Sequence, residues 1–297
     1  MKSYLTEFIN EFDYPEDAKA AIMEGYTKAE ENTDFSNLLK KLYEEYVSDV
    51  IDWDVAAEKI ATEADKINLH KYTAHLIFFI VMTKHTRTLY EKNNIPYNIF
   101  KDTFCDFKYK LFECYHRHNI WGSSCYTAWY TRFFKLERFA LGRLQYEVIP
   151  YRGEVPYTKN GVTINPQDPV LNTHIPSSGP LTPESVEESF TLAHSFFSNV
   201  FTDDVTPISC QSWLLFPEHY NMLPEKSNII QFMNRFDIVE SGTYDSYIQF
   251  ITIFGKPYSE NLDEFPADNS LRRGYINLAK SGKPSGYGLG ITLYTQK

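Results

Sequence analysis

The segment from Pro169 to Phe236 constrains the fold more than any other part of this 297-residue chain. It opens with Pro169-Val-Leu-Asn-Thr-His-Ile-Pro176 and the small-residue stretch Ser177-Ser-Gly-Pro-Leu-Thr-Pro183. An amphipathic helical pattern follows, and then Pro207-Ile-Ser-Cys-Gln-Ser-Trp-Leu-Leu215. Two apolar runs of strand length flanking a helix read as a βαβ unit. Open α/β sheets bind ligands at the carboxyl ends of their strands, so the loop after the first run is where function is to be sought. Thr182 is placed to cap the helix and Pro183 suits its first turn. Val186, Phe190, Ala193, Phe197 and Val200 form its apolar stripe.

Upstream the period is helical. Pro15-Glu-Asp before an Ala-rich run marks a helix start. Phe35, Leu38, Leu39, Leu42, Tyr43 and Tyr46 recur at helical spacing, and Asp52–Ile67, His70–Lys92 and Tyr97–His118 follow the same logic. Breaks fall at Asn93-Asn94-Ile95-Pro96 and Trp121-Gly122-Ser123-Ser124. A last helix is expected over Cys125–Leu141, stopped by Gly142. From Arg143 the period becomes two: Leu144, Tyr146 and Val148 alternate with Arg143, Gln145 and Glu147, a strand with one polar face. Asn160-Gly161 signals a hairpin, and further elements are expected as a helix near Ser227–Phe236 and strands at Ser246–Phe254 and Gly288–Tyr294. The fold class is α+β: an all-helical domain over residues 1–142, then a mixed α/β domain over 143–297.

Charge and composition narrow the function classes. Residues 1–66 carry 17 Asp and Glu against 7 Lys and Arg, which accounts for the whole net charge of −10. A helical, solvated acidic face argues against nucleic-acid binding by that half. The longest apolar run, Leu76–Met82, is far short of the roughly 20 residues a membrane span needs, and reads as a buried helix. The N-terminus lacks an apolar signal core, and four cysteines in a chain of this length do not make a disulfide scaffold. A cytoplasmic chain with no membrane or nucleic-acid partner is expected.

Several residues carry chemistry, each beside a plain structural alternative. His174 lies in an apolar strand just before the loop, either as a proton acceptor or as a buried hydrogen-bonded histidine. Glu147, Gln145 and Arg143 share one strand face: Glu147 is a candidate general base, Arg143 a carboxylate or phosphate ligand with Gln145 beside it, and an ion pair between domains is the alternative. Cys210 and Ser212 lie two apart on one strand and so face the same way. Cys210 would pair with His174 as a nucleophile or be a small buried hydrophobe; Ser212 would orient a substrate or leaving thiol, and Trp213 would form core or pocket wall. Cys114, His116, His118 and Cys125 lack a paired Cys-x-x-Cys knuckle, so a packing face is expected there and no metal.

Leu141-Gly-Arg-Leu-Gln-Tyr-Glu147, Leu171-Asn-Thr-His-Ile-Pro176, Gly179-Pro-Leu-Thr-Pro183, Cys210-Gln-Ser-Trp-Leu-Leu215 and Ser227-Asn-Ile-Ile-Gln-Phe232 together resemble a group of bacterial acyltransferase-like proteins. These pair a helical N-terminal domain with a GNAT-like C-terminal domain. The resemblance covers nearly the whole chain. It implies transfer of an acyl group from acyl-CoA to an amine of a small molecule or peptide, by direct attack and without metal. It also implies that the Val170–Ile175 strand, including Thr173 and Ile175, binds the pantetheine arm. The loop Ser177, Ser178 and Gly179 would cradle the CoA pyrophosphate. The Ile208–Leu215 strand would splay away, and Tyr220 would stand near the usual tyrosine acid. The chain departs from the superfamily's Arg/Gln-x-x-Gly-x-Gly/Ala loop: only Gly179 survives, Pro180 removes a donor, and Glu184, Glu187 and Glu188 crowd the helix start. No Lys or Arg lies between Lys159 and Lys226; Arg138 or Arg143 would have to compensate. These departures keep open a non-catalytic binding or regulatory protein on the same frame, and a Cys210–His174 thiol hydrolase as a third reading.

Overall fold

A helix that is apolar on every side can only be stable with protein all around it. The run Leu76–Met82 meets that condition: each of its seven side chains is at most 1% exposed. It forms the middle of α5 (Lys71–Lys92). Around it pack α1 (Lys2–Glu11), α2 (Glu16–Glu31), α3 (Thr33–Val47), α4 (Trp53–Lys66), α6 (Tyr97–Phe104), α7 (Asp106–His118) and α8 (Thr127–Phe134). The computed structural model describes residues 1–296, and the chain divides into two units at Phe139/Ala140. No helix among the described residues is long and apolar enough to cross a membrane.

Two expectations for the first unit change. The single helix over Tyr97–His118 divides at Cys105 into α6 and α7. The break turns Asp106 inward, where it is 1% exposed and accepts the Trp129 indole N–H at 2.9 Å. The last helix stops at Phe134, seven residues early, because Leu136 adopts a left-handed φ of 55°. Arg138–Leu141 is then a strand, β1, which straddles the division. Gly142, at φ 69°, supplies the turn into β2 (Leu144–Pro150) rather than a helix cap.

The second unit continues with β3 (Tyr157–Lys159), β4 (Val162–Ile164), β5 (Pro169–His174), α9 (Pro183–Phe196), β6 (Thr206–Ser212), α10 (His219–Met222) and α11 (Asn228–Met233). After these come β7 (Asp237–Thr243), α12 (Gln249–Phe254), α13 (Ser270–Lys280) and β8 (Gly286–Tyr294). The sheet order is β1-β2-β5-β6-β8-β7. β5 and β6, joined through α9, run parallel; β2 with β5 and β8 with β6 and β7 are antiparallel. Asn160 and Gly161 both take positive φ and close the β3–β4 hairpin, as their dipeptide predicts.

Three further differences follow from tertiary packing. Ser246–Phe254 is not a strand: Phe250 and Ile253 turn inward at helical spacing in α12, and Gly255 ends it in the left-handed conformation. Strand β7 and helix α13 arise where the sequence reading placed no element. Val200 leaves the buried stripe of α9, because the helix ends at Phe196 and Val200 is 45% exposed.

The two faces of the sheet are covered differently. On one lies α9, whose Val186, Phe190 and Ala193 are buried. Its Ser189 hydroxyl meets Tyr146 Oη at 2.9 Å, accepts from Leu144 N at 3.2 Å and donates to Leu141 O at 2.5 Å. On the other face the β3–β4 hairpin covers Ile149, Val170 and Ile291. Toward β2 and the end of β5 that second face carries Gln145, Glu147, Asn172 and His174.

Candidate functional site

Strand alternation places Gln145 and Glu147 on one face of β2, and Asn172 and His174 on the same face of β5. The register sets Glu147 opposite Asn172 and Gln145 opposite His174. The expected polar face of β2 is therefore real, yet it is not solvated: Gln145 is 1% and Glu147 3% exposed. Polar groups so deeply buried must find hydrogen-bond partners. His174 Nε2 lies 2.7 Å from Glu147 Oε1. Asn172 Nδ2 donates to the same oxygen at 3.3 Å and lies 3.1 Å from His174 Nε2. The Glu147 side chain is 4% exposed and that of His174 21%. The carboxylate stands behind and the imidazole in front. Glu147 and Asn172 thus both meet the ring at Nε2 and fix its orientation.

This cluster sits where the sheet parts. The parallel pairing of β5 with β6 is confined to Leu171 with Ile208 and Asn172 with Ser209. Beyond Asn172, β5 continues to His174 and β6 to Ser212 without a mutual ladder. Thr173, one residue past the last pair, is 2% exposed, and its Oγ1 has no hydrogen-bond partner. Ile175 follows at the strand's end.

The loop after β5 is held from outside. Arg143, in the β1–β2 turn, reaches across to this loop. Its Nε donates to Pro180 O at 3.1 Å, Nη1 to Pro176 O and Ser178 Oγ at 3.0 Å each, and Nη2 to Gly179 O at 2.6 Å. Gly179 has φ 126°, which an L side chain rarely adopts. Past the loop, Thr182 Oγ1 accepts from Ser185 N at 3.2 Å and Pro183 opens α9, as expected. The acidic first turns of that helix are partly neutralised: Glu187 pairs with Arg235, which also donates to Pro183 O at 3.1 Å. Arg235 follows α11, about fifty residues downstream, so the absence of a basic residue near the loop in sequence does not carry over to space.

Other candidates fall elsewhere. Cys210 does not meet His174. Register puts Ser209 on the face of Asn172, so Cys210 shares the opposite face with Ile208 under α9. It is fully buried, and burial pushes its thiol up to about 12. The two residues lie on opposite faces of the sheet and do not form the nucleophile–base pair that a thiol hydrolase would need. Ser212 Oγ accepts from Leu214 N at 3.1 Å and caps a short 3-10 turn over Trp213–Leu215. Trp213 thereby leaves the expected strand and lies edge-on to His219 and Tyr275 as part of a second core. Tyr220, on α10, is 47% exposed and donates to Asn234 Oδ1 at 3.2 Å. Among the described residues no group of three or more His, Cys, Asp and Glu is placed to hold a metal. Asn172 escaped the sequence reading although its signal was present: it and His174 are two polar residues two apart in an apolar strand.

Residues 3–136 match the N-acyltransferase N-terminal domain, and residues 139–292 match the GNAT-like C-terminal domain. An acyltransferase mutant solved in complex with octanoyl-CoA superposes with a TM-score of 0.72 at 21% identity, covering 96% of this chain and 86% of its own. An acyltransferase in complex with decanoyl-CoA and teicoplanin gives 0.71 at 20% identity, covering 97% and 86%. Another, bound to CoA and 10C-teicoplanin, gives 0.71 at 21%, covering 96% and 86%. No curated protein matches the chain. The solved structures agree in fold and the two domain matches span nearly the whole sequence, so the chain belongs to the N-acyltransferase family in which a helical N-terminal domain precedes a GNAT-like C-terminal domain.

Proposed function

We propose that this protein transfers an acyl group from an acyl-CoA to an amine of a small-molecule acceptor, with His174 as general base and Glu147 and Asn172 as its positioning partners. The hydrogen-bonded Glu147–His174 pair at the mouth of the β5–β6 gap carries this reading. A buried carboxylate behind a partly exposed imidazole is the arrangement that orients a base and stabilises the imidazolium it becomes. A purely structural histidine gains nothing from facing the opening.

The residues present suit a CoA thioester. Past Asn172 the β5 backbone runs on to His174 with no ladder partner on β6, which leaves strand groups that the amides of a pantetheine arm would meet. The capped start of α9 and the Ser177–Leu181 loop offer backbone N–H groups to a pyrophosphate, and Arg235 offsets the negative charge of Glu187. In the reaction the acceptor nitrogen attacks the thioester carbonyl and a C–N bond forms. Strand N–H groups lining the gap hold the oxyanion. His174 takes the amine proton; collapse breaks the C–S bond and the proton passes to the departing thiolate. The solved relatives bound to octanoyl-CoA, decanoyl-CoA and teicoplanin support a medium-chain donor and a small-molecule acceptor.

Thermal unfolding against free CoA and acyl-CoAs of increasing chain length tests the donor. A ligand at 100 times its Kd raises stability by about 2.7 kcal/mol. A rise selective for one chain length, with acylated amine detected by mass spectrometry, is expected. No rise with any CoA species would overturn the reading.

A further inference from the structure

We propose that Arg143 is the positioning residue that shapes the Pro176–Pro180 loop into a pyrophosphate cradle, replacing the glycine-rich motif this chain lacks. The inference rests on the CoA-dependent reading above. It differs from the expectation that Arg143 would meet a phosphate or carboxylate itself.

The geometry is specific. A guanidinium presents five N–H donors in a rigid plane. Here that plane gathers the carbonyls of Pro176, Gly179 and Pro180 and the Ser178 hydroxyl, at 2.6 to 3.1 Å. Three carbonyls of one five-residue loop are thus drawn to a single point. Among the described residues every peptide bond is trans, and in a trans peptide the N–H points opposite to the carbonyl of the same plane. The N–H groups of Ser177 and Leu181 therefore face away from Arg143. The peptide between Gly179 and Pro180 has no N–H to lose, which fits a proline at that point. In the usual motif, glycines let the backbone fold around the phosphate unaided. In this chain only Gly179 retains that freedom, and the curvature is imposed from the β1–β2 turn. The cation that imposes it is also close behind the loop, so its field favours an anion on the far side.

This role separates from a direct phosphate contact by substitution. A lysine preserves the charge but is a point donor on a flexible stem and does not bridge three carbonyls at once. The test compares wild type, Arg143→Ala and Arg143→Lys with two donors, octanoyl-CoA and octanoyl-pantetheine, the second lacking the pyrophosphate. The expected result is a KM for octanoyl-CoA raised about tenfold or more in both variants, with kcat nearly unchanged and with octanoyl-pantetheine turnover unaffected. Limited proteolysis within residues 176–181, measured without ligand, is expected to accelerate in both variants. Recovery of KM by Arg143→Lys would assign the residue to direct charge contact and overturn the clamp. Equal losses with both donors, or unchanged loop cleavage, would also overturn it. Failure of the wild-type enzyme to use either donor would instead sink the acyltransfer reading, while the cleavage data would still decide whether Arg143 orders the loop.

Discussion

The two faces of the β5–β6 pair carry residues of similar reactivity in opposite conditions. On one face, Asn172 and His174 join Glu147 in a hydrogen-bonded cluster that reaches the surface through the imidazole. On the other, one residue along, Thr173 and Cys210 lie beneath α9, and the thiol is held protonated by burial. The strand pair that brings an imidazole to the surface thus buries a thiol in the core. Reactivity here is set by side of the sheet, not by proximity in sequence.

Removing the imidazole should have the largest effect. His174→Ala is expected to lower kcat by about 10²- to 10⁴-fold, the usual worth of a positioned base, with the midpoint of thermal unfolding little changed. Glu147→Gln, which keeps the shape and removes the charge behind the ring, should lose less. Steady-state kinetics with one acyl-CoA donor checks both; a His174→Ala variant with wild-type kcat would move the chemistry off this face.

A second histidine sharpens the contrast. His219 is fully buried, its Nδ1 3.3 Å from Leu214 O and its Nε2 3.2 Å from Tyr275 Oη. Desolvation pushes its pKa down to about 4, against an ordinary value near 6.5. The unfolded chain therefore binds the proton first as pH falls. The contribution to stability is complete above pH 6.5 and is lost between there and pH 4, a difference of about 3 kcal/mol. Denaturant unfolding across that window should show the loss in wild type and a shallower one in His219→Gln. Identical slopes would mean that His219 is hydrated or charged in the folded state.

On the α9 side, Ser189→Ala strips partners from Leu144 N–H, Leu141 C=O and Tyr146 Oη together. Leaving buried groups unpaired costs about 1–3 kcal/mol, so stability should drop while kcat of the folded enzyme holds. A fall in kcat without a fall in stability would couple this face to the chemistry and erase the distinction between them.

Much of this arrangement was legible before the structure. The βαβ unit, the Thr182–Pro183 cap and the Asn160-Gly161 turn rest on local chemistry, and each is found where the sequence puts it. So does the sharing of one face by Gln145 and Glu147, which follows from period two alone. What could not be read was which residues of different strands share a side, because a shift of one residue in register reverses every assignment. That is why Cys210 looked like a partner for His174 and Asn172 did not. Arg235 and the Arg143 clamp depend on contacts across 48 and more than 30 positions of chain, beyond the reach of any local pattern. Leu136 and Gln249–Phe254 depart from their local pattern for a related reason: tertiary burial outweighs the helical and extended preferences of their segments.

The smallest effect is expected at Cys210, and it is the most direct test of the opposition between faces. The thiol is fully buried beside Ile208, with burial raising its pKa to about 12, so the thiolate is absent at neutral pH. Cys210→Ala removes one sulfur from a packed layer and should cost about 1 kcal/mol of stability. Activity should stay within about twofold of wild type, since nothing on the His174 face changes. Intact-mass analysis during turnover should find no acyl group on the protein. An acylated Cys210, or a loss of kcat as deep as that of His174→Ala, would require β5 and β6 to exchange faces relative to one another, and the register of Asn172 with Ser209 forbids that without unfolding the centre of the sheet.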